Sequence, residues 1–478
     1  MKKSLLAVAA LTAFAGAAQA QSSVTVYGVL DVDTGYVQRS NGGDSTFGTT
    51  IAVPVGAVST TNGGVGTAGQ TGNNVHGAGF IGNGGESATQ IGFKGSEDMG
   101  GGLKTNFQLE TGFNINSGSI SNGMGSQFNK DGGNGATSLN GQLFNRQAWV
   151  GLSDAKLGSL SAGRQYTGYS TVVGGYDLVK AQAFSPIQYS GNLGGGGGIT
   201  DSIRQDSSIK YVSPVFANTT LTAMYKAGNQ MGSIGPQSSY NFAANYNGGK
   251  YHFGVAYMAS NDALLTSSSN NAIAGVTSFS NGNIVSGTAA TTTAPVGTVT
   301  AYNTSAVAIG GDFSATDKIK FGAGWQLFTY KAPSQNVTTG TTGNLISQYG
   351  YSISSATNYQ GSNQANNLVW LTVNVKTSAA TDVTAGFYNL NQASYTTGTA
   401  GGTNNNALVG AGAMQWYSLL GNYYFSKRTN LYAGYMLEKL RGTQQGAAGP
   451  ASGVSGSYTA GQYYNTNSIV ALGMRHTF

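Results

Sequence analysis

Between Leu103 and Asn114 hydrophobic and polar residues alternate one for one. Leu103, Thr105, Phe107, Leu109, Thr111 and Phe113 fall on one side, and Lys104, Asn106, Gln108, Glu110, Gly112 and Asn114 on the other. A period of two describes a strand with one apolar and one polar face. A helix would need apolar residues at three- and four-residue spacings, and none run that way here. The same alternation passes through Tyr251–Tyr257, Leu368–Val375 and the C-terminal stretch, where Val470, Leu472, Met474, His476 and Phe478 share a face. These strands have about the 9–11 residues that cross a bilayer at a tilt.

The connectors between such runs come in two kinds. Short turns rich in Gly, Asn, Asp, Ser or Pro are predicted at 98–102, 153–158, 213–218, 247–250, 314–318, 378–382 and 426–430. Long Gly/Ser/Thr/Asn-rich segments are predicted at 38–86, 115–141, 167–202, 229–238, 261–301, 332–366, 397–412 and 441–466. Seven turns and eight loops join sixteen strands. The expected fold is therefore all-β: a 16-stranded antiparallel transmembrane β-barrel with short periplasmic turns and long extracellular loops. The first strand, 24–37, must pair with the last, 469–478, because an open edge would leave backbone groups unsatisfied in lipid. Barrels of about 16–18 strands enclose an aqueous channel. A polar inward row, with Lys104 and Glu110 facing the lumen, is what such a channel requires. Tyr423-Tyr424-Phe425 and Tyr463-Tyr464 fall at predicted strand ends, where aromatic girdles belong.

Composition narrows the choice further. Only 8% of the 478 residues are charged and 75 are glycine, a balance foreign to soluble domains. Hydrophobic residues reach 40%, so the chain is not disordered for want of apolar surface. With no cysteine there is no disulfide framework, thiolate metal site or cysteine nucleophile. His76, His252 and His476 are too scattered for a metal centre, and no cofactor is expected. Residues 1–20 read as a cleaved secretory signal peptide: Lys2 and Lys3, an apolar run from Leu5 to Ala18, then Ala18-Gln19-Ala20. Residues 21–478 then form the barrel, with a formal net charge of +4 against +6 for the whole chain and no basic run of the nucleic-acid type. No other stretch is long and apolar enough for a transmembrane helix.

Several segments resemble the general, non-specific porins of Gram-negative outer membranes, in their beta-proteobacterial branch. They are Ser22–Asp31, Gly92–Lys104 followed by Phe107–Phe113, Phe144–Leu152, Gly163–Tyr166, Ile209–Pro214, Ser426–Thr429 and Arg475–Phe478, all in family order. Segments 38–86 and 261–366 depart most from the family and carry its enlarged loops. The resemblance implies a homotrimer of barrels with one pore each and a third loop folded into the lumen. It also implies a constriction with a basic wall facing acidic loop residues. Arg146 and Arg204 match two basic positions, Arg164 matches a residue at the entry to the third loop, and the third basic position is occupied here by Gln90. That departure weakens an anion preference. Asp177 and Asp201 are the carboxylates of the third loop, with Lys180 near the first. The terminal Phe478 resembles the signal read by the barrel-assembly machinery.

The function expected is passive diffusion of ions and small hydrophilic solutes across an outer membrane containing lipid and lipopolysaccharide. A substrate-specific channel and an adhesin or receptor anchored by a barrel are the alternatives, and an enzyme ranks below them. Gly64–Gly69 spells GxGxxG without the strand-to-helix context of a nucleotide site. Five glycines, 194–198, read as a flexible piece of the third loop. His252 lacks the acid and oxyanion partners of a hydrolase.

Overall fold

The computed structural model describes residues 23–41, 74–116, 118, 143–180, 183–189, 204–228, 235, 238–266, 273–274, 276–280, 283–286, 296–334, 352–358, 363–397, 407–409, 411–442 and 465–478. The expectations at residues 1–20, Gly64–Gly69, Gly194–Gly198, Asp201, Tyr463 and Tyr464 lie outside these residues.

Among the described residues sixteen strands close a barrel, and three more, Asn74–Asn83, Ile273–Ala274 and Ser352–Asn358, join the same sheet at its edge. The sixteen begin with β1 Ser23–Asn41, β2 Gln90–Gly100, β3 Leu103–Gly112, β4 Gln147–Asp154, β5 Gly158–Tyr166 and β6 Arg204–Val212. Next come β7 Thr219–Lys226, β8 Ser239–Gly248, β9 Tyr251–Thr266, β10 Val296–Ser314 and β11 Ile319–Lys331. The last five are β12 Gln364–Lys376, β13 Thr381–Gln392, β14 Gly412–Tyr424, β15 Thr429–Gly442 and β16 Asn465–Thr477. Each pairs antiparallel with its chain neighbours. β16 returns to β1, from Val29↔Thr477 to Ser40↔Thr466, and closes the barrel. Every short turn falls where the sequence predicts it. The first needs glycine: Gly100, Gly101 and Gly102 all have positive φ, and Asp98 accepts the Gly100 N–H at 2.9 Å.

β1 is longer than expected and is shared between two partners. Its first half pairs with β2, and its second half with Asn74–Asn83, a strand inside the segment predicted as loop 38–86. β9 and β10 likewise extend into the segment expected as loop 261–301.

The two rows of side chains have different fates. One row is exposed and apolar, with Val150, Leu152, Ile209, Phe242, Leu371 and Leu472 among it, as a lipid-facing surface requires. Exposed aromatics gather beside the short turns: Tyr251 stacks on Phe313 at 4.9 Å, and Tyr423 meets Phe425 edge-on at 5.0 Å.

The other row is polar on β3, as expected, but not throughout. On β9–β15 it carries Met258, Phe328, Leu368, Trp370, Leu390 and Trp416, all buried. The physical reason is a cover. The segment after β5, with helices α1 Gly168–Gly175 and α2 Pro186–Tyr189, lies against this row. Its contacts run from Thr222 on β7 to Tyr432 on β15, an arc that one short segment can reach only from inside the barrel.

Candidate functional site: a basic wall opposite a clamped loop

The basic wall is assembled where β3, β4, β5 and β6 leave the membrane at their loop ends. The Arg146 N–H donates to the Glu110 carbonyl, prolonging the β3–β4 ladder by one residue. Its guanidinium therefore returns over the polar row of β3, donating through Nε to Glu110 Oε1 at 2.7 Å and through Nη2 to the Tyr166 hydroxyl at 2.7 Å. Tyr166 ends β5 and is the register partner of Arg204, which begins β6. Arg204 sets its guanidinium carbon 4.8 Å from the Tyr166 ring centroid, and Arg146 sets its own at 5.9 Å. The ring face is an electron-rich surface for both cations. Lys210 adds a third, donating to the Tyr166 carbonyl at 3.1 Å.

Glu110 is held as firmly as its partner. Tyr27 on β1 donates to Glu110 Oε2 at 2.8 Å, and Lys94 lies 5.2 Å from the Tyr27 ring. Arg164 stands beside this group. Its Nε donates to the Asn145 carbonyl at 2.7 Å and its Nη1 pairs with Asp206. Gln90, between Val29 and Gly112 in register, contributes no charge. Lys104 shares the polar row with Glu110 but lies at its far end, exposed beside a short turn. The patch thus holds Lys94, Arg146, Arg164, Arg204 and Lys210 against Glu110 and Asp206, a positive balance in a confined space.

The loop supplies no matching free carboxylate among the described residues. Asp177 is fully buried. Its Oδ1 accepts from the Tyr388 hydroxyl at 2.7 Å and from the Val179 N–H at 3.1 Å, and its Oδ2 accepts from Ser185 Oγ. Burial nonetheless outweighs these bonds and pushes its carboxyl above the usual aspartate range. Asp177 fastens the loop to β13.

Thr167 caps α1, accepting the Ser170 N–H at 3.2 Å, and so turns the chain inward straight after β5. Tyr169, Val172 and Val173 then bury the apolar side of the helix. Tyr169 donates to Gln326 at 2.6 Å, Trp370 donates to the Tyr176 carbonyl at 3.4 Å, and Ser418 donates to the Phe184 carbonyl. The wall makes room with glycine. A Cβ at Gly310 would meet the Tyr176 ring at 2.9 Å, one at Gly386 would meet Val179 at 2.8 Å, and one at Gly434 would meet the Phe184 ring at 2.6 Å.

The sequence profile of the Gram-negative porin family matches residues 7–443. The chain belongs to that family. An outer membrane porin protein of Bordetella pertussis is 30% identical over 284 residues, which is 57% of this chain and 62% of the relative. Outer membrane porin protein 32 of Delftia acidovorans is 32% identical over 217 residues, 45% of this chain and 47% of its own. The matched part spans about half to three-fifths of these relatives. The solved anion-selective porin from Comamonas acidovorans shares the fold at 17% identity, with a TM-score of 0.59 over 96% of this chain and 100% of that one. This porin is an outer-membrane barrel, and its family and fold point to a channel rather than an enzyme.

Within the porin, Arg146 and Arg204 do come together, around Tyr166. Arg164 joins them through the Asn145 carbonyl, while Asp177 sits apart under the loop. Sequence reading missed Tyr166, Lys210, Tyr388 and the inward glycines. The signal available for the last two was the stretch 368–375, apolar on both faces where a water-lined strand should be apolar on one.

Proposed function

We propose that this porin is a channel for passive diffusion of small hydrophilic solutes and ions, favouring anions over cations. The observation that carries this reading is the Arg146–Tyr166–Arg204 group on the inner wall, with Asp177 withdrawn into the clamp opposite. Gln90, where the family pattern places a basic residue, makes the preference milder than an arginine at that position would. Residues 1–20 act as an export signal that is removed, and the remainder works as a homotrimer in the outer membrane, delivered by the barrel-assembly machinery through Phe478 and bordered by lipopolysaccharide. The trimer is supported by the resemblance of residues 92–113 and 144–166 to the general porins.

The experiment is reversal potential across a salt gradient in a planar bilayer, for the wild type and Arg146→Ala. Conductance steps in threes and a potential that moves toward cations in the variant are expected. Folded protein that never conducts would overturn the channel. An unmoved potential would overturn the role of Arg146.

A further inference from the structure

The seam where β16 closes on β1 carries a second group of charges that the channel does not use. Asp31 and Asp33 lie two residues apart on one face of β1, with 0% and 2% of their surface exposed. Asp31 is well partnered. Its Oδ1 accepts from the Tyr432 hydroxyl of β15, and its Oδ2 accepts from the N–H groups of Glu86 and Ser87 at 3.0 and 2.6 Å. Among the described residues, neither carboxylate oxygen of Asp33 has a hydrogen-bond partner. Arg475 is opposite Asp31 in register, yet no Lys, Arg or His forms an ion pair with either aspartate among the described residues.

The surroundings of Asp33 are cut to fit a carboxylate. Its register neighbours are Gly82 and Gly473. A Cβ at Gly82 would overlap the Asp33 carboxylate, and one at Gly85 would come within 2.9 Å of it while overlapping the Tyr432 hydroxyl. Asp33, Asp31 and Tyr432 therefore aim their oxygens at one enclosed place. Two buried like charges on one strand face, with no ion-pair partner among the described residues, are strongly unfavourable. A proton on Asp33 would remove one charge but leave its oxygens without donors. A cation answers both needs, because it neutralises the pair and can take both Asp33 oxygens at once.

We infer that Asp31 and Asp33 form a divalent-cation site that staples the barrel seam. The donors are all oxygen, the chemistry of a hard ion such as calcium rather than zinc or copper. No three His, Cys, Asp or Glu side chains converge on a metal position among the described residues. The ion therefore completes its shell from Tyr432, backbone carbonyls and water, and its affinity falls in the weak range of about 10⁻⁴–10⁻³ M. It ties β1 to residues 82–87 and, through Tyr432, to β15.

Terbium tests this in the full-length folded porin, because Tyr432 stands close enough to sensitise its luminescence. Chelator-treated wild type should give tyrosine-excited terbium emission that saturates and is displaced by calcium chloride. Asp33→Asn should lose that component and Tyr432→Phe should weaken it. Should Asp33→Asn fail to fold, the wild type alone decides: calcium should raise its unfolding temperature above that in chelator. Equal emission from wild type and a folded Asp33→Asn, or a wild type indifferent to both calcium and chelator, would overturn the site and leave Asp33 protonated.

Discussion

The Tyr388 hydroxyl donates to Asp177 at 2.7 Å across 211 residues of chain, joining the middle of the inner loop to the wall beyond it. Removing the acceptor takes a partner from three donors, the Tyr388 hydroxyl, the Ser185 hydroxyl and the Val179 N–H, and a buried donor left unsatisfied costs about 1–3 kcal/mol. Asp177→Ala should therefore loosen the loop, giving noisier single-channel currents and earlier protease cleavage between residues 167 and 203. Tyr388→Phe, which removes one donor and strands none, should act in the same direction more weakly. Quiet, wild-type currents from Asp177→Ala would mean that the clamp does not hold the loop.

The same carboxyl sets a pH dependence. Burial favours its protonated form over the combined pull of Ser185, Tyr388, the Val179 N–H and Lys180. A group whose folded-state pKa is raised contributes stability that is complete below its ordinary pKa and is lost as the pH climbs through the raised one. The wild-type loop should accordingly be firmest in acid and become easier to cleave toward neutral pH. Asp177→Asn, which cannot ionise, should flatten that slope. Parallel cleavage profiles for the two proteins would refute the assignment.

On the basic wall, Glu110 offsets Arg146 at a distance of 2.7 Å. Glu110→Gln removes a negative charge from the wall and keeps the side-chain shape. The anion-to-cation permeability ratio should rise, opposite in sign to Arg204→Ala, and both shifts should shrink at high salt. Reversal potentials at two ionic strengths measure this, and shifts of the same sign in the two variants would contradict it.

The glycine seat makes a packing prediction. A methyl group at Gly434 would come within 2.6 Å of the Phe184 ring, which is itself buried against Tyr432. Overpacking of this kind costs about 1–3 kcal/mol. Gly434→Ala should lower the barrel's denaturation midpoint in urea, whereas Gly100→Ala, with open space around it, should be tested beside it as a turn-strain control. A Gly434→Ala midpoint equal to wild type would show that the loop has slack at this point.

The barrel itself was legible in the chain because each turn announces itself locally, as Asp98–Gly102 does, and because strands such as Leu103–Gly112 keep a strict period. Loop boundaries were less so: Asn74–Asn83 pairs with β1, yet its glycines and short polar residues read as connector. Arg146 and Arg204 were found through their flanking motifs, but the Tyr166 ring that gathers them depends on the β5–β6 register. The burial of Asp177 was not legible in the sequence, for a physical reason. A carboxylate in a loop is ordinarily solvated, and only Tyr388, far along the chain, reveals that this one is not. The apolar inner row left only a local mark, the stretch Leu368–Leu371, which is apolar on both faces.

That apolar row has a consequence for how the molecule comes into being. Met258, Phe328, Leu368 and Trp370 would meet bare water in a cylinder closed without residues 168–187, and the loop's contacts already reach β15. The cylinder must therefore be rolled around its own plug, which waits on the growing sheet until β16 arrives at β1. Threading the plug into a finished cylinder would first require the greasy surface to be wetted.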